Sequence, residues 1–600
     1  MLTKFKIVPK LGIINLVRVF FYKHFIKSRI QPNSLLIEDV PPFFMPPDPN
    51  DNFVSLSMCS LQYFGWRKYN AELIPNWHEN TLTGVLSKDS MHPWNEIPDF
   101  DVELGDIKGV WEASRFDWVI SFAQQAACGD KKALIKLNAW LIDWIEKNPI
   151  YNGVNWKCGQ EASIRVMHLA LATLLLKQTQ NTAPALLSLI KAHLKRISPT
   201  IMYAVAQDNN HGTSEAAALY IGGSWLVLNG ENDGLKWQKQ GLKWLENRAN
   251  KLIETDGSFS QHSVNYHRVM LDSYSLVEAW RVKHGLSPLS DLLYAKLKAA
   301  TKWLFYFTDS QTGDAPNIGA NDGARLIPLT STDYRDFRPS VQLASTLFIN
   351  KIAYDFSGDF NAPLEWLEFK KPNRCIANKV AKDFTDGGYT YFTVTNAALY
   401  FNYPMFKFRP SQCDALHVDF WLNGQNIFRD GGTFSYNAGQ KYIDYYGGVK
   451  SHNTVAFDSH EQMPRISRFL LGDWLKTSIK KDLVASSSKQ IITAGYKDRF
   501  GCRHSRTIEL KPGMLTIQDI VSGFKQKAVL RFRLIPTDWK LVGNTLKSEF
   551  CTINFSADVS IKRIELTTGF ESRYYHQESE IPVLKIEVSE SGIITTEVKF

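Results

Sequence analysis

The sequence predicts a multidomain α+β protein in which a helical domain precedes an antiparallel β domain. Its 600 residues are too many for one ordinary hydrophobic core. Apolar residues recur with a helical period from about residue 95 to 370, and the period changes to two after Lys370–Arg374. We therefore predict an N-terminal extension over residues 1–94, a helical domain over 95–375 and a β domain over 376–600.

The helical domain is predicted from consecutive amphipathic segments. The first begins at Asp117 and the last ends near Phe307, and each carries apolar residues at i, i+3 and i+4. Gly, Pro and Asn separate them, which indicates short connections. Such a series is typical of stacked helical hairpins, and its periodicity fits a bundle, a solenoid or a toroid equally well.

The β domain is predicted from short segments that alternate apolar and polar residues or are rich in β-branched ones. The sequence LKPGML at 510–515 separates two of them. Its Pro512 and Gly513 supply the backbone angles of a hairpin turn. We therefore expect an antiparallel, sandwich-like domain.

Composition and charge narrow the classes of ligand. The net charge is +9 and 13% of the residues are aromatic, but no long Lys/Arg tract and no nucleic-acid motif is present. A polyanionic ligand is therefore favoured over DNA, and the flat aromatic rings suit sugars. The seven scattered cysteines form no CxxC pair, so they predict neither a disulfide framework nor a cysteine zinc site, which is compatible with a reducing compartment. We expect no organic cofactor.

The N-terminal segment over residues 1–32 is basic and apolar. Pro9, Arg18 and Lys23 interrupt it and no A-x-A-like cleavage site follows. It therefore predicts neither a signal peptide nor a spanning helix. It suits an amphipathic segment that lies on a membrane surface, or a helix packed on the body or on a partner. A cytoplasmic or inner-membrane-associated protein is favoured over a periplasmic one.

Polar groups precede an alanine-rich helix in the sequence NNHGTSE at 209–215. Thr213 or Ser214 can cap this helix, and Glu215 lies four residues after His211, where it could orient the imidazole. The simpler interpretation is a helix cap with an incidental histidine. Asn210 and His211 are nevertheless candidates for binding an anionic group.

Two further loops carry similar groups. The sequence DGSFSQHSVNYHR at 256–268 contains Tyr266 and Arg268, and the glycine-rich loop from residue 313 contains Asn321 and Arg325. Each loop alone could be ordinary turn chemistry, because Asn, Asp and Gly are favoured in turns. Three such loops on one helical domain indicate the rim of a cleft.

A candidate metal site lies in the β domain. His417 and Asp419 point to the same face of a strand, and Asp430 and His452 follow, a nitrogen and oxygen ligand set that suits zinc. Satisfied surface polar residues are the alternative. A cluster of tyrosines over 436–446 follows Asp430, and strand or interface packing could equally explain it.

As an ordered set, these motifs resemble the heparinase II/III-like proteins, polysaccharide lyases that also include certain alginate lyases. NNHGTSE, DGSFSQHSVNYHR, NDGARL and HVDFW…FRDGGTFSYN…SHNTV occur in that family's order, after a similar lead-in that includes NPIYNGVNWKCGQE. The resemblance covers roughly residues 105–530. It implies an incomplete (α/α) toroid followed by an antiparallel β-sandwich, and β-elimination at a uronic acid in the cleft between them.

The resemblance also implies residue roles. Asn210 and His211 would neutralise the uronate carboxyl, and Tyr266 would be the catalytic tyrosine. Its phenolate would need neighbouring positive charge, for which His211, His267 and Arg268 are candidates. A second catalytic tyrosine would be Tyr436 or Tyr442. Further substrate contacts are expected from Trp156, Glu215, Arg268, Asn321 and Arg325. The family's metal ligands match His417, Asp430 and His452, which implies a structural zinc ion.

One departure from the family pattern keeps other functions open. Many of these lyases have H-x-H-x-D where this chain has ALHVD, so Ala415 replaces a second catalytic histidine. A glycan-binding or assembly factor of polysaccharide biosynthesis is therefore one alternative. A toroid-fold glycoside hydrolase is another, and would need paired carboxylates, for which Glu112, Glu215 and Asp256 are candidates.

Overall fold

A computed structural model of the protein describes residues 2–27, 42–48 and 56–600. Helices and strands segregate along the chain, as predicted. The helices are α1 (Leu2–Leu11), α2 (Ile13–Phe21), α3 (Lys108–Ala113), α4 (Asp117–Ala127), α5 (Lys131–Lys147), α6 (Gly159–Leu175), α7 (Pro184–Ile197), α8 (Ile201–Ala206), α9 (Asn210–Leu228), α10 (Gly234–Leu252), α11 (Val264–Lys283), α12 (Asp291–Phe307), α13 (Arg338–Ile349), α14 (Ala362–Trp366) and α15 (Gln440–Tyr446).

The helical domain is an incomplete (α/α) toroid. Helices α4, α6, α9, α11 and α13 pack side by side in that order, and α5, α7, α10 and α12 return along their outer side. The inner helices α6, α9 and α11 are buried around nearly their whole circumference. This arrangement decides among the bundle, the solenoid and the toroid that the periodicity left open.

Glycines allow one of these hairpins to pack closely. A Cβ atom added at Gly223 of α9 would lie 2.4 Å from the backbone nitrogen of Gln238 in α10. One added at Gly241 of α10 would lie 2.4 Å from the backbone nitrogen of Tyr220 in α9. Any larger residue would therefore push the two helices apart.

Two short strands, β1 (Gln62–Tyr63) and β2 (Arg67–Lys68), lie in the N-terminal extension. The strands of the β domain are β3 (Lys382–Phe384), β4 (Tyr389–Val394), β5 (Ala397–Asn402), β6 (Val418–Leu422), β7 (Gln425–Phe428), β8 (Val455–Phe457), β9 (Arg465–Ser467), β10 (Leu470–Leu471), β11 (Thr477–Ala485), β12 (Gln490–Lys497), β13 (Arg503–Lys511), β14 (Met514–Ser522), β15 (Ala528–Arg533), β16 (Lys540–Val542), β17 (Thr545–Lys547), β18 (Thr552–Ala557), β19 (Ile561–Glu571), β20 (Ser579–Val588) and β21 (Gly592–Lys599).

Three antiparallel sheets form the body of the sandwich. Their strand orders are β3-β4-β5-β6-β7, β11-β12-β13-β14-β21-β18-β17-β16 and β19-β20-β15-β8, and their apolar faces share one core. The predicted hairpin turn joins β13 to β14, and Gly513 has a φ of 76° there, which a glycine adopts without strain. Helix α15 is an insertion that the period-two pattern did not predict.

The N-terminal helices pack on the body, as one of the two predicted alternatives requires. Asn15 Nδ2 of α2 donates a hydrogen bond of 2.6 Å to Asp208 Oδ2, and the ring of Tyr22 stacks on Tyr203 at 4.1 Å. Ile7 of α1 belongs to the core of the sandwich. Within the described part of the chain, every helix is too short or too polar to span a bilayer.

Candidate active site

The first half of the site is the N-terminus of α9. Asn209 caps this helix by accepting a hydrogen bond of 3.1 Å from the backbone of His211, so the predicted caps Thr213 and Ser214 lie inside the helix instead. The side chains of Asn210 and His211 make no hydrogen bond with any described residue. Because a helix N-terminus carries partial positive charge, two free polar groups there suit a carboxylate.

The second half of the site is a pair of tyrosines from the two domains. The hydroxyl groups of Tyr266 and Tyr436 are 2.9 Å apart and form a hydrogen bond. Ser263 caps α11 by accepting from the backbone of Tyr266 at 3.0 Å, which fixes where that side chain leaves the helix. On the other side, the backbone of Tyr436 donates to the hydroxyl of Tyr575 at 2.9 Å. The tertiary structure therefore places Tyr436, and not Tyr442, against Tyr266.

A buried ion pair sets the charge of this region. Lys108 Nζ lies 2.8 Å from Asp322 Oδ2 and 5.6 Å from the centre of the Tyr436 ring. Burial lowers the pKa of His211 to about 4, and the charge of Lys108 acts in the same direction. Burial also raises the pKa of Tyr266 well above its ordinary value, and Asp322 adds to this. At neutral pH the imidazole is therefore uncharged and the phenol is protonated.

Lys108 is the site residue that sequence reasoning missed. It lies in a loop-to-helix segment with no distinctive motif, and its partner Asp322 is 214 residues away. Only the packing of the start of α3 against the third polar loop, the glycine-rich loop from residue 313, brings the two together. A single lysine in the segment GDIKG at 105–109, beside an aspartate, was the one available signal.

The candidate metal ligands converge in the sandwich. His452 Nδ1 is 2.8 Å from Asp430 Oδ2, and His417 Nε2 is 3.6 Å from the same oxygen. His417 Nε2, His452 Nε2 and Asp419 Oδ2 are buried without a hydrogen-bond partner among the described residues. Unsatisfied buried atoms are costly, and this nitrogen and oxygen donor set fits zinc. The cluster joins the segments before β6, after β7 and before β8.

Comparison with known proteins assigns the family. The family model "Heparinase II/III N-terminus" matches residues 69–308, and "Heparinase II/III-like, C-terminal" matches residues 377–564, so together they cover most of the chain. The chain belongs to the heparinase II/III-like family. Membership indicates a carbon–oxygen lyase that acts on polysaccharides. Among curated proteins, no sequence matches the chain.

Solved structures share the fold of this heparinase II/III-like protein. A heparinase III structure is 16% identical, covers 93% of this chain and 87% of its own, and superposes with a TM-score of 0.65. A heparan sulfate lyase from Pedobacter heparinus is 16% identical over 90% of this chain and 85% of its own, with a TM-score of 0.54. The chondroitin AC lyase of Streptomyces coelicolor A3, in complex with chondroitin sulphate, is 11% identical over 82% and 74%, with a TM-score of 0.50. These likenesses establish the toroid and the sandwich.

The prediction that His267 and Arg268 stabilise a phenolate is wrong for this heparinase II/III-like protein. His267 is fully buried, binds the carbonyl of Ala300 through Nε2 at 2.9 Å and stacks on Trp303. Arg268 is 1% exposed, and its guanidinium donates to Asn265 Oδ1 at 2.8 Å. Residues that follow Tyr266 in α11 point to other faces of the helix, so they turn away from the hydroxyl. Arg268 thus supports the site from beneath and is not a substrate contact.

Trp156 is a core residue and not the predicted sugar contact. Its side chain is 0% exposed, its indole nitrogen donates to the carbonyl of Asn148 at 3.1 Å, and its ring packs against Trp144 and His193. A high aromatic content suggested sugar stacking, but large rings are equally suited to filling a toroid interior. The sequence pattern around Trp156 did not distinguish the two.

Glu215 does not orient His211. No described hydrogen bond joins them, and Glu215 Oε2 is buried without a partner among the described residues. Its carboxyl group packs against Gly159, and burial raises its pKa to about 8, so it is neutral at pH 7. It therefore belongs to the helix interface rather than to the predicted set of substrate contacts.

The polar side chains of the third polar loop form hydrogen bonds with residues close to them in the chain. Asn321 Oδ1 accepts hydrogen bonds from Tyr334 Oη at 2.8 Å and from the backbone of Gly323 at 2.9 Å. Arg325 donates to the carbonyl of Thr332 at 3.0 Å. Both predicted substrate contacts therefore already have protein partners, and their effect is to shape the loop that holds Asp322.

The carboxylates that a hydrolase would need do not pair. Glu112 forms an ion pair with Arg115 at 2.9 Å, and Asp256 Oδ2 accepts from the backbone of Asp386 at 2.8 Å. With Glu215 in the helix interface, no two of these three groups interact among the described contacts. The arrangement therefore gives the hydrolase alternative no support.

Proposed function

We propose that the protein cleaves a uronic-acid-containing polysaccharide by β-elimination where Tyr266 meets Tyr436. The observation that carries this proposal is the 2.9 Å hydrogen bond between two buried phenols, one from each domain. The charge of Asp322 acts on both Tyr266 and His211, which links the tyrosine pair to the N-terminus of α9. We further propose that this activity serves surface polysaccharide metabolism.

The reaction needs the substrate carboxylate to be neutralised. Removing the proton at C5 of a uronate places charge on the adjacent carboxyl group, so donors must meet that group. In the proposed complex, the free amide of Asn210 and the neutral imidazole of His211 donate hydrogen bonds to it. A bound carboxylate raises the pKa of His211, which increases the positive charge where the reaction requires it.

The two tyrosines supply the proton transfers. One phenolate accepts the C5 proton, the C4–C5 double bond forms, the C4–O4 bond breaks, and a phenol returns a proton to the departing O4. The resting pKa of Tyr266 is high, so its phenolate needs help. Tyr436 can donate a hydrogen bond to this phenolate across 2.9 Å, and the ammonium group of Lys108 lies 5.6 Å from the centre of the Tyr436 ring.

A bound zinc ion would have a structural role. His417, Asp430 and His452 would hold it, with Asp419 beside them, and it would add binding energy to the folded sandwich. Asp430 lies six residues before Tyr436, and the backbone of Gly431 is hydrogen-bonded to Ser451 at 2.9 Å. The segment from Asp430 to Tyr436 thus connects the metal-ligand cluster to the tyrosine pair.

The decisive experiment is incubation of the full-length protein with a panel of uronic-acid polysaccharides. We expect a product with a new C4–C5 double bond, detected by its ultraviolet absorbance and by mass spectrometry. A product that has gained water and lacks the double bond would instead identify a hydrolase. Binding without any product would favour the glycan-binding factor, which the small Ala415 at the position of a second histidine supports as an alternative.

A further inference from the structure

Helix α2 and the π-helical turn after it, Tyr22–Ile26, expose an apolar face. Seven large hydrophobic side chains of the N-terminal segment are between 38% and 70% exposed, and six of them lie on this continuous face, which we call the N-terminal patch. The patch comprises Ile13, Ile14, Val17, Phe20, Phe21 and Phe25. Their spacing of three and four residues places them on one side of a helix.

The side of the same helix that faces the body is polar. Asn15 is the buried residue of α2 and bonds to Asp208, while the guanidinium of Arg18 lies 5.7 Å from the ring of Trp244. Tyr22 stacks on Tyr203. A surface helix of a globular protein ordinarily turns its apolar side inward, so this reversal leaves an apolar surface that requires a partner.

Positive charge accompanies the patch. The chain has no Asp or Glu before Glu38, and the exposed Lys10 and Lys23 flank α2 on either side. Lys10 also lines a pocket of about 420 Å³ between α1 and the sandwich, together with Lys476, Lys497 and Arg499. Asp473 and Asp498 lie in the same pocket, so four basic groups there oppose two acidic ones.

We propose that the N-terminal patch docks the protein on the surface of an anionic lipid bilayer. An apolar helix face bordered by basic residues lies in the interface of such a membrane, where burial of the side chains and attraction to anionic headgroups act together. The hydrogen bond from Asn15 to Asp208 ties the docked helix to the residue directly before the cap of α9. The membrane surface therefore lies on the side of the toroid where α9 begins.

The test uses the full-length protein and sedimentation with lipid vesicles. Wild-type protein should sediment with vesicles that contain phosphatidylglycerol, and at least about tenfold less with vesicles of phosphatidylcholine alone, because the attraction to the anionic headgroups is lost. The variant Ile13→Glu/Val17→Glu/Phe20→Glu should lose at least about tenfold in vesicle affinity, because three exposed apolar groups that would enter the bilayer become charges. Its turnover of soluble oligosaccharide should not change.

A matched control replaces exposed apolar residues elsewhere. Ile135→Glu/Val542→Glu changes side chains that are 68% and 76% exposed, and it should bind vesicles as the wild type does. The charge variant Lys10→Glu/Lys23→Glu keeps the patch and should lose the preference for anionic vesicles. It keeps the test decisive if the triple variant does not fold.

Three outcomes would overturn the proposal. Wild-type protein could remain in the supernatant with anionic vesicles, or the triple variant could sediment as well as the wild type. Light scattering could also show a wild-type dimer that the triple variant converts to a monomer, in which case a second copy of the chain covers the patch. None of these results depends on whether the protein is a lyase.

Discussion

Tyr266 combines a buried ring with a hydroxyl group that meets the other domain. If this hydroxyl moves the proton, Tyr266→Phe removes one oxygen and should lower kcat by roughly two to four powers of ten while the melting temperature changes little. Tyr442→Phe is the matched control, because that ring stacks on Phe434 at 4.2 Å and has no described contact with Tyr266. Steady-state kinetics and thermal melts of both variants check this. If Tyr266→Phe kept the turnover number but lowered the melting temperature, Tyr266 would be a core tyrosine without a catalytic role.

His267 should make folding stability depend on pH. Burial lowers its pKa in the folded protein to about 3 from an ordinary value of 6.5, so between these values only the unfolded chain binds the proton. The stabilising contribution is complete above pH 6.5 and is lost as the pH falls below it. Relative to His267→Gln, the wild type should lose about 1 kcal/mol of unfolding free energy per pH unit below pH 6.

Denaturant unfolding of both proteins between pH 7 and pH 4 measures this difference. The comparison with His267→Gln cancels the other buried groups, which titrate equally in the two proteins. A difference in unfolding free energy that stays constant over this range would mean that His267 is protonated in the folded state.

At the scale of elements, the N-terminus of α9 carries two adjacent asparagines with different roles: Asn209 caps the helix, and Asn210 is proposed to bind substrate. Asn210→Ala should lower kcat/KM by about a hundredfold and leave the melting temperature intact, because it removes a donor to the substrate carboxylate. Asn209→Ala removes the cap and should instead lower the free energy of unfolding by about 1 kcal/mol. Kinetics and denaturant melts of the two neighbours distinguish these effects. Equal losses of stability in both would contradict the assignment of Asn210.

The sandwich contains the other element-scale test. Metal analysis of the purified protein should find about one zinc ion per chain, and His452→Ala should lose it. Since a structural metal stabilises the folded state, the variant should also melt at a lower temperature, and a chelator should lower the wild-type melting temperature to a similar value. Protein that contains no zinc and melts unchanged in chelator would rule the site out.

At the scale of the whole molecule, a segment after β19 joins the two domains. Asp314 of the helical domain accepts hydrogen bonds from Arg335 and from Arg573, and Asn317 Nδ2 donates to the carbonyl of Ser572 at 2.8 Å. These contacts link the third polar loop to the sandwich. They also hold the neighbouring Tyr575, which orients Tyr436, so catalysis and domain association depend on the same segment.

Removal of this shared carboxylate should destabilise the whole protein. Asp314→Asn removes the carboxylate that pairs with the buried Arg335 and the partly buried Arg573, and should cost about 3 kcal/mol of unfolding free energy. Asp233→Asn, whose pair with Lys236 is exposed, should change stability by less than about 0.5 kcal/mol. Calorimetry should show one transition in the wild type and two in Asp314→Asn. An unchanged single transition would show that this ion pair does not couple the domains.

The sequence by itself determined the order of the domains, the strand hairpins and the family motifs, because periodicity and local turn chemistry are properties of neighbouring residues. It also indicated Asn210, His211 and Tyr266, which lie in polar motifs at the starts of helices, although it assigned the cap of α9 to the wrong residues. Only the tertiary structure placed Tyr436 beside Tyr266, paired Lys108 with Asp322, and turned Trp156, Glu215 and Arg268 inward. Those outcomes depend on contacts between segments that lie up to hundreds of residues apart in the chain. They also depend on which face of a nearly fully buried helix contacts a neighbour. The spacing of residues along the chain encodes neither of these.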